Sequence, residues 1–244
     1  MRILIANWKC QGGVQNLSDL YAWVSSIQKP SFSLVVLLPA PFLALWKNYS
    51  WPDWVFLGAQ CAYPDKGAYT GAFHAGMLRE IGCEYVCVGH SERRSHFGEK
   101  DIDCFRQYQA ILEADMQPIL CVGEPKGNMM EADERLIWLK NQLTSVLTGE
   151  GFDNLKKHDI IIAYEPGWAI GTGQAATIHD ITIIVMELKK WLASLITTKN
   201  PLFWCYGGSV NSSNMASFAQ AHALDGLLIG KASFDKQVIH GLLT

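Results

Sequence analysis

An ammonium group, an imidazole and a carboxylate each stand directly after a short apolar run in this 244-residue sequence. Ile3-Leu4-Ile5 leads into Asn7-Trp8-Lys9. Tyr85-Val86-Cys87-Val88 leads into Gly89-His90-Ser91-Glu92-Arg93-Arg94, and Ile160-Ile161-Ile162-Ala163 into Tyr164-Glu165-Pro166-Gly167-Trp168. A positioned carboxylate can take a proton from a carbon beside a carbonyl. An imidazole can polarise that carbonyl, and a lysine can offset the charge that develops. Two further runs end in small residues, Tyr206-Gly207-Gly208-Ser209-Val210 and Leu228-Ile229-Gly230-Lys231-Ala232. Unhindered backbone N–H groups at helix starts bind anions, so the expected ligand is a small phosphate ester. Singly, each signal has a plain structural reading. A Glu before Pro can merely end a strand, a lone His is commonly structural, and Gly-Gly-Ser is ordinary turn chemistry. Lys9 could be a surface charge beside Trp8. Arg93-Arg94 reads as a solvated face, although Arg93 could brace the His90 loop through a carboxylate. Joint placement carries the chemical reading.

That placement requires a scaffold which brings the ends of several strands together. Eight nearly continuous apolar runs begin at Ile3, Leu34, Trp54, Tyr85, Pro118, Ile160, Leu202 and Gly226. Runs without polar alternation suit strands buried on both faces, as parallel strands are. The segments between them carry helical periodicity. After a Thr177 cap with Asp180 three residues on, Ile181, Ile184, Val185, Leu188, Trp191, Leu192 and Leu195 fall on one face. Leu136, Leu139, Leu143, Val146 and Leu147 repeat the pattern, as do Leu17, Leu20, Val24 and Ile27. Strand then helix, repeated about eight times, is the grammar of a parallel α/β sheet. An open doubly wound sheet would usually show a Gly-rich turn after its first strand, and Asn7 to Gly13 is no GxGxxG. The expected fold is a closed (βα)8 barrel spanning 1–244 as a single domain, for which about 250 residues is typical. Its working face lies at the C-terminal ends of the strands, and the loops after strands seven and eight usually hold phosphate.

Composition narrows the partners. Charged residues are 18% of the chain, against about 25% in ordinary domains. Hydrophobic residues are 49%, which excludes intrinsic disorder. A net charge of −3 without a basic run argues against nucleic acid. No run approaches the roughly 20 apolar residues of a membrane span, and the N-terminus carries no signal-peptide core. Seven cysteines, an odd count without a CxxC pair, fit a reducing, cytoplasmic setting; Cys61, Cys83, Cys87, Cys121 and Cys205 lie in or beside apolar runs.

The motifs Asn7-Trp8-Lys9, Gly67-Ala68-Tyr69-Thr70-Gly71, Gly89-His90-Ser91-Glu92-Arg93-Arg94, Cys121-Val122-Gly123-Glu124, Ala163-Tyr164-Glu165-Pro166, Trp168-Ala169-Ile170-Gly171-Thr172-Gly173 and Tyr206-Gly207-Gly208-Ser209-Val210 stand in order along the chain. In these the sequence resembles the triosephosphate isomerase family over essentially its full length. The resemblance implies a TIM barrel that interconverts dihydroxyacetone phosphate and D-glyceraldehyde 3-phosphate, in glycolysis and gluconeogenesis, through an enediolate. It implies Glu165 as the base and a neutral His90 as the electrophile. Lys9 and Asn7 would stabilise and orient the intermediate, with Glu92 in the catalytic set; these are the family's established roles. Gly171, Ser209, Gly230 and Lys231 would hold the phosphate, beside Asn7 and Lys9. Pro166, Gly167, Trp168, Ala169, Ile170, Gly171 and Thr172 would form the closing lid, a family device. No metal and no organic cofactor is implied. A homodimer is implied, with Thr70 reaching across to the partner.

Four departures from the family pattern carry their own expectations. Cys10-Gln11 stand where Met-Asn is usual, and Cys61 and Ala72 replace an Asn and a Glu in the loop that reaches across. Both bear on dimer strength. Gly167 replaces a bulkier hinge residue, so extra freedom in the open lid is expected to raise KM modestly. Lys231 replaces a Gly, and is expected to keep its backbone donor while its ammonium faces solvent or phosphate. Other readings remain: a non-catalytic binding barrel, and a different phosphate-binding barrel isomerase.

Overall fold

The structure is a computed structural model that describes residues 2–125, 127, 130–148, 158–169, 176–196, 200–235, 239 and 241. Eight parallel strands close on themselves in sequence order: β1 Ile3–Asn7, β2 Ser33–Leu38, β3 Val55–Ala59, β4 Tyr85–Val88, β5 Gln117–Val122, β6 Ile160–Tyr164, β7 Leu202–Gly207 and β8 Gly226–Ile229. Closure is made by β1 and β8, with Ile3 opposite Gly226 and Ala6 opposite Ile229. Gly226 is small because Ile3 packs against it; a Cβ there would collide with the Ile3 carbonyl oxygen.

The apolar runs are continuous because alternate side chains enter two different cores. Ile5, Leu37, Cys87, Ile119, Cys121, Ala163, Cys205 and Leu228 fill the barrel interior. Leu4, Ala6, Leu34, Val36, Leu120, Ile162 and Leu227 point outward and pack under the helices. Each buried Leu or Ile contributes roughly 1.5–3 kcal/mol, so neither face tolerates a polar residue.

Three helices match the sequence periodicity: α1 Val14–Ser26, α6 Ala132–Leu147 and α7 Ile178–Leu195. The Thr177 hydroxyl accepts from the Asp180 N–H at 3.1 Å, so the expected cap is present. Ile181, Ile184, Val185, Leu188 and Leu192 are buried, whereas Leu195 is exposed. It is the last residue of α7. Trp191 packs against the core with Lys140 over its ring, 5.8 Å from the centroid. Other connections are shorter than a full amphipathic helix: α2 Ala40–Leu43 with a 3-10 turn at Ala44–Asn48, α3 Ala75–Glu80 and α8 Met215–Ala219. The fourth connection is split. α4 Ser91–Phe97 ends at Gly98 (φ 69°), and α5 Asp101–Glu113 restarts in a new direction. After β8 a 3-10 turn spans Lys231–Phe234. No described helix is long and apolar enough to cross a membrane.

Candidate active site

The C-terminal mouth of the barrel brings together Asn7 and Lys9 from β1, His90 and Glu92 from the β4 end, Glu165 from β6 and Gly230 from β8. Asn7 ends β1, and its Oδ1 accepts from the Lys9 N–H at 2.9 Å. That turn puts Lys9 at φ 54°, a left-handed conformation that costs a non-glycine residue of order 1 kcal/mol. The amide of Gln60 holds the strained turn by donating to the Lys9 carbonyl at 2.8 Å and the Leu37 carbonyl at 3.2 Å. The Lys9 ammonium consequently crosses the mouth to Glu92, 2.7 Å from Oε1. Its stem lies over Gly230, where a Cβ would sit 3.0 Å from Lys9 Cε.

His90 is the N-cap of α4 and is 4% exposed. Its Nδ1 accepts from the Glu92 N–H at 3.2 Å, and its Nε2 faces Glu165 Oε1 at 3.2 Å. Burial opposes an imidazolium here, while the adjacent Glu165 carboxylate favours one and pushes His90 up to about 9. A second proton, however, would have to sit on Nδ1, which is already the acceptor of the Glu92 N–H. The geometry therefore supports a neutral imidazole with its proton on Nε2, the nitrogen that faces Glu165 and has no hydrogen-bond partner in this structure.

Glu165 is 3% exposed. Its N–H donates to the Val122 carbonyl at 2.8 Å, extending the β5–β6 ladder by one residue and fixing where the side chain leaves the barrel. Oε2 accepts from the Ser91 N–H at 3.3 Å. Burial raises the carboxyl's pKa; an imidazolium at His90 would lower it most, and with His90 neutral the Ser91 N–H and Lys9 are what draw it down. Gly207 makes room for it: a Cβ at that position would lie 2.9 Å from Glu165 Cγ.

A brace behind His90 involves residues that the sequence reading left without a role. Glu99 is buried; its Oε1 accepts from the Gly89 N–H at 3.0 Å and its Oε2 from Arg93 Nε at 2.6 Å. Arg93 does meet a carboxylate beside the His90 loop, and that carboxylate is Glu99. Arg94 donates to the Gly89 carbonyl at 2.8 Å and to Asp101 at 2.6 Å, so the Gly89 peptide is gripped from both sides. Arg94 is therefore no solvated surface residue. The available signal was an acid directly after the Gly98 helix stop, too common a pattern to single out.

Ser209 lies beside the lid's first residues, with its hydroxyl donating to the Ala169 carbonyl at 2.7 Å. Lys231 is an exposed residue at the start of the 3-10 turn after Gly230. Within the lid, Ala169 N–H donates to the Pro166 carbonyl at 2.9 Å, and Trp168 is half-buried. Gly167 differs from its expectation. It is buried, and a Cβ there would collide with the Glu124 carbonyl oxygen and with Pro125. The residue is required by close backbone approach, so extra hinge freedom is not its consequence in this structure. Ile170, Gly171 and Thr172 lie outside the described residues. Thr70 is exposed on the loop after β3. Among the described residues, no three His, Cys, Asp or Glu side chains stand together to hold a metal.

The model of one family, described as triosephosphate isomerase, matches residues 2–244. A protein of that name from Aquifex aeolicus is 38% identical, with 97% of this chain and 96% of the relative covered. Relatives of the same name from Moorella thermoacetica and Mycoplasma capricolum are 35% and 34% identical, each with more than nine-tenths of both chains covered.

Proposed function

The chain belongs to the triosephosphate isomerase family, and on that premise we propose that it interconverts dihydroxyacetone phosphate and D-glyceraldehyde 3-phosphate at the mouth just described. The observation that carries the proposal is the 3.2 Å approach of a buried carboxylate to a buried imidazole, with a lysine beside both. Glu165 is ionised and so is the base. It removes a proton from the carbon next to the substrate carbonyl and returns it to the neighbouring carbon. His90 donates from Nε2 to the carbonyl oxygen, which acquires charge as the proton leaves. Nε2 has no hydrogen-bond partner in this structure, so its N–H is available to a substrate oxygen. Lys9 compensates the charge on the enediolate and on the phosphate, and Asn7 holds the strained turn that presents Lys9. Glu92 acts on both partners, binding the Lys9 ammonium and giving its N–H to His90. Ser209, Gly230 and the backbone at Lys231 receive the phosphate, together with Gly171. Pro166 to Thr172 close over the intermediate and keep water from it.

We further infer a homodimer in a reducing, cytoplasmic setting. Tyr69, Phe73 and Met77 are exposed apolar residues on and after the loop that carries Thr70, a surface that favours a partner. All seven cysteines are free. A coupled isomerisation assay of the wild type beside Glu165→Asp tests the catalytic assignment. Withdrawing the carboxylate by one methylene is expected to cost about 100-fold or more in kcat. A variant as fast as the wild type would remove Glu165 from the role of base.

A further inference from the structure

Before a substrate arrives, the charges at the barrel mouth do not favour an anion. The Lys9 ammonium lies 2.7 Å from Glu92 Oε1, so its charge is already shared with a carboxylate. Arg93 and Arg94, on the turn that carries His90, are paired with Glu99 and Asp101 at 2.6 Å each. With His90 neutral, the Glu165 carboxylate is left without a full counter-charge. A phosphate ester carries a charge of about −1.5 to −2 at neutral pH. It therefore approaches mouth residues whose balance has its own sign.

Lys231 stands beside this mouth with its charge uncommitted. It is exposed, and its ammonium has no ion-pair or hydrogen-bond partner among the described residues. Two contacts fix where its stem begins. The Ser233 N–H donates to the Gly230 carbonyl at 2.8 Å and closes the turn after β8. The missing Cβ of Gly230 makes room for Lys9, whose Nζ would lie 3.6 Å from it. Consecutive Cα atoms are about 3.8 Å apart, so the Lys231 Cα lies at most roughly 9 Å from the Lys9 ammonium. A charge held at that rim acts through space, without contact. At about 8 Å in water, its attraction for a dianion changes affinity roughly threefold to fivefold at low ionic strength. Salt at about 0.3 M shortens the Debye length to roughly 5–6 Å and removes most of that effect.

We propose that the Lys231 ammonium is the electrostatic attractor for the substrate phosphate, a specificity-determining charge that sets affinity for dianionic ligands and takes no part in proton transfer. The assignment rests on the phosphate-ester reading of the mouth. It gives the side chain of Lys231 a role separate from that of its backbone N–H, which every residue except proline could supply.

The test compares the wild type with Lys231→Gln and Lys231→Arg, both at an exposed position and both keeping the backbone donor. Two readouts are taken at ionic strengths of about 10 mM and about 0.3 M. One is the calorimetric Kd of 2-phosphoglycolate; the other is kcat and KM for D-glyceraldehyde 3-phosphate. At low ionic strength Lys231→Gln is expected to raise Kd and KM about threefold or more, with kcat within about twofold of the wild type. At high ionic strength the difference should shrink below about 1.5-fold, and Lys231→Arg should match the wild type at both. An unchanged Kd in Lys231→Gln at low ionic strength would overturn the proposal. So would a loss that persists in salt, or an equal loss in Lys231→Arg, since either marks a structural role. Phosphoglycolate binding needs no turnover, so the two readings fail separately. A wild type that binds it without isomerising the triose would overturn the isomerase reading, while Kd still decides the role of Lys231. A wild type that does not bind it would overturn both.

Discussion

At the scale of single residues, the protonation of Glu165 governs the acid side of the reaction. Burial raises its carboxyl's pKa, and with His90 neutral the Ser91 N–H and Lys9 are left to draw it down from the ordinary 4.5. A base with a depressed pKa stays ionised as pH falls through the usual glutamate range and is lost only below it. The substrate phosphate, with a second ionisation near 6, is lost earlier. The expected profile of kcat/KM therefore falls with unit slope below about pH 6 and steepens to a slope of two only below 4.5. A second break above pH 5 would contradict the environment assigned to Glu165. For His90, the neutral Nε2–H form predicts that His90→Gln, which keeps a donor but no titratable ring, retains turnover reduced by roughly 100-fold or more. An undiminished kcat in that variant would remove His90 from the reaction.

At the scale of elements, the turn between β4 and α4 depends on Glu99, which joins Gly89 to Arg93. Glu99→Ala leaves a buried N–H and a half-buried guanidinium unpaired, at about 1–3 kcal/mol each. The expected result is a melting temperature lower by several degrees, with a fall in kcat because the turn also aims His90. Differential scanning calorimetry and the coupled assay read the two effects separately. The lid hinge makes the opposite kind of demand. Gly167 lies against the Glu124 carbonyl and Pro125, so Gly167→Val must push the β5 and β6 ends apart. We expect kcat/KM to drop at least tenfold in a folded protein; a variant with improved KM would restore the view that the glycine merely adds freedom. The composition of the hinge alone invited that view, because a glycine in a sequence looks the same whether it is free or crowded.

At the scale of the whole molecule, the exposed Tyr69, Phe73 and Met77 make self-association the expected state. Phe73→Asp should shift the sedimentation coefficient toward the monomer at micromolar concentration. By mass action, the wild type's melting temperature should also fall on dilution. A concentration-independent melting temperature with monomeric sedimentation would remove the dimer.

Much of this molecule is written locally. A strand buried on both faces needs a continuous apolar run and an amphipathic helix needs a 3.6-residue period; both are short-range patterns. Eight strands and three of the helices were therefore legible in the residues themselves, and with the length of the chain they pointed to a barrel. So was the candidate triad, because a strand's C-terminal end can be located by where its apolar run stops. Contacts between units were not legible, since they depend on how the barrel closes. Lys9 meets Glu92 across 83 positions and Glu165 meets the Ser91 N–H across 74. Closure shows that Gly167 has no room for a side chain, and even the local grip of Glu99 on the Gly89 turn is visible only in three dimensions. Local periodicity determined which elements form and what they carry; the packing of elements distant in sequence decided the distances, and those distances set the protonation state and the chemistry.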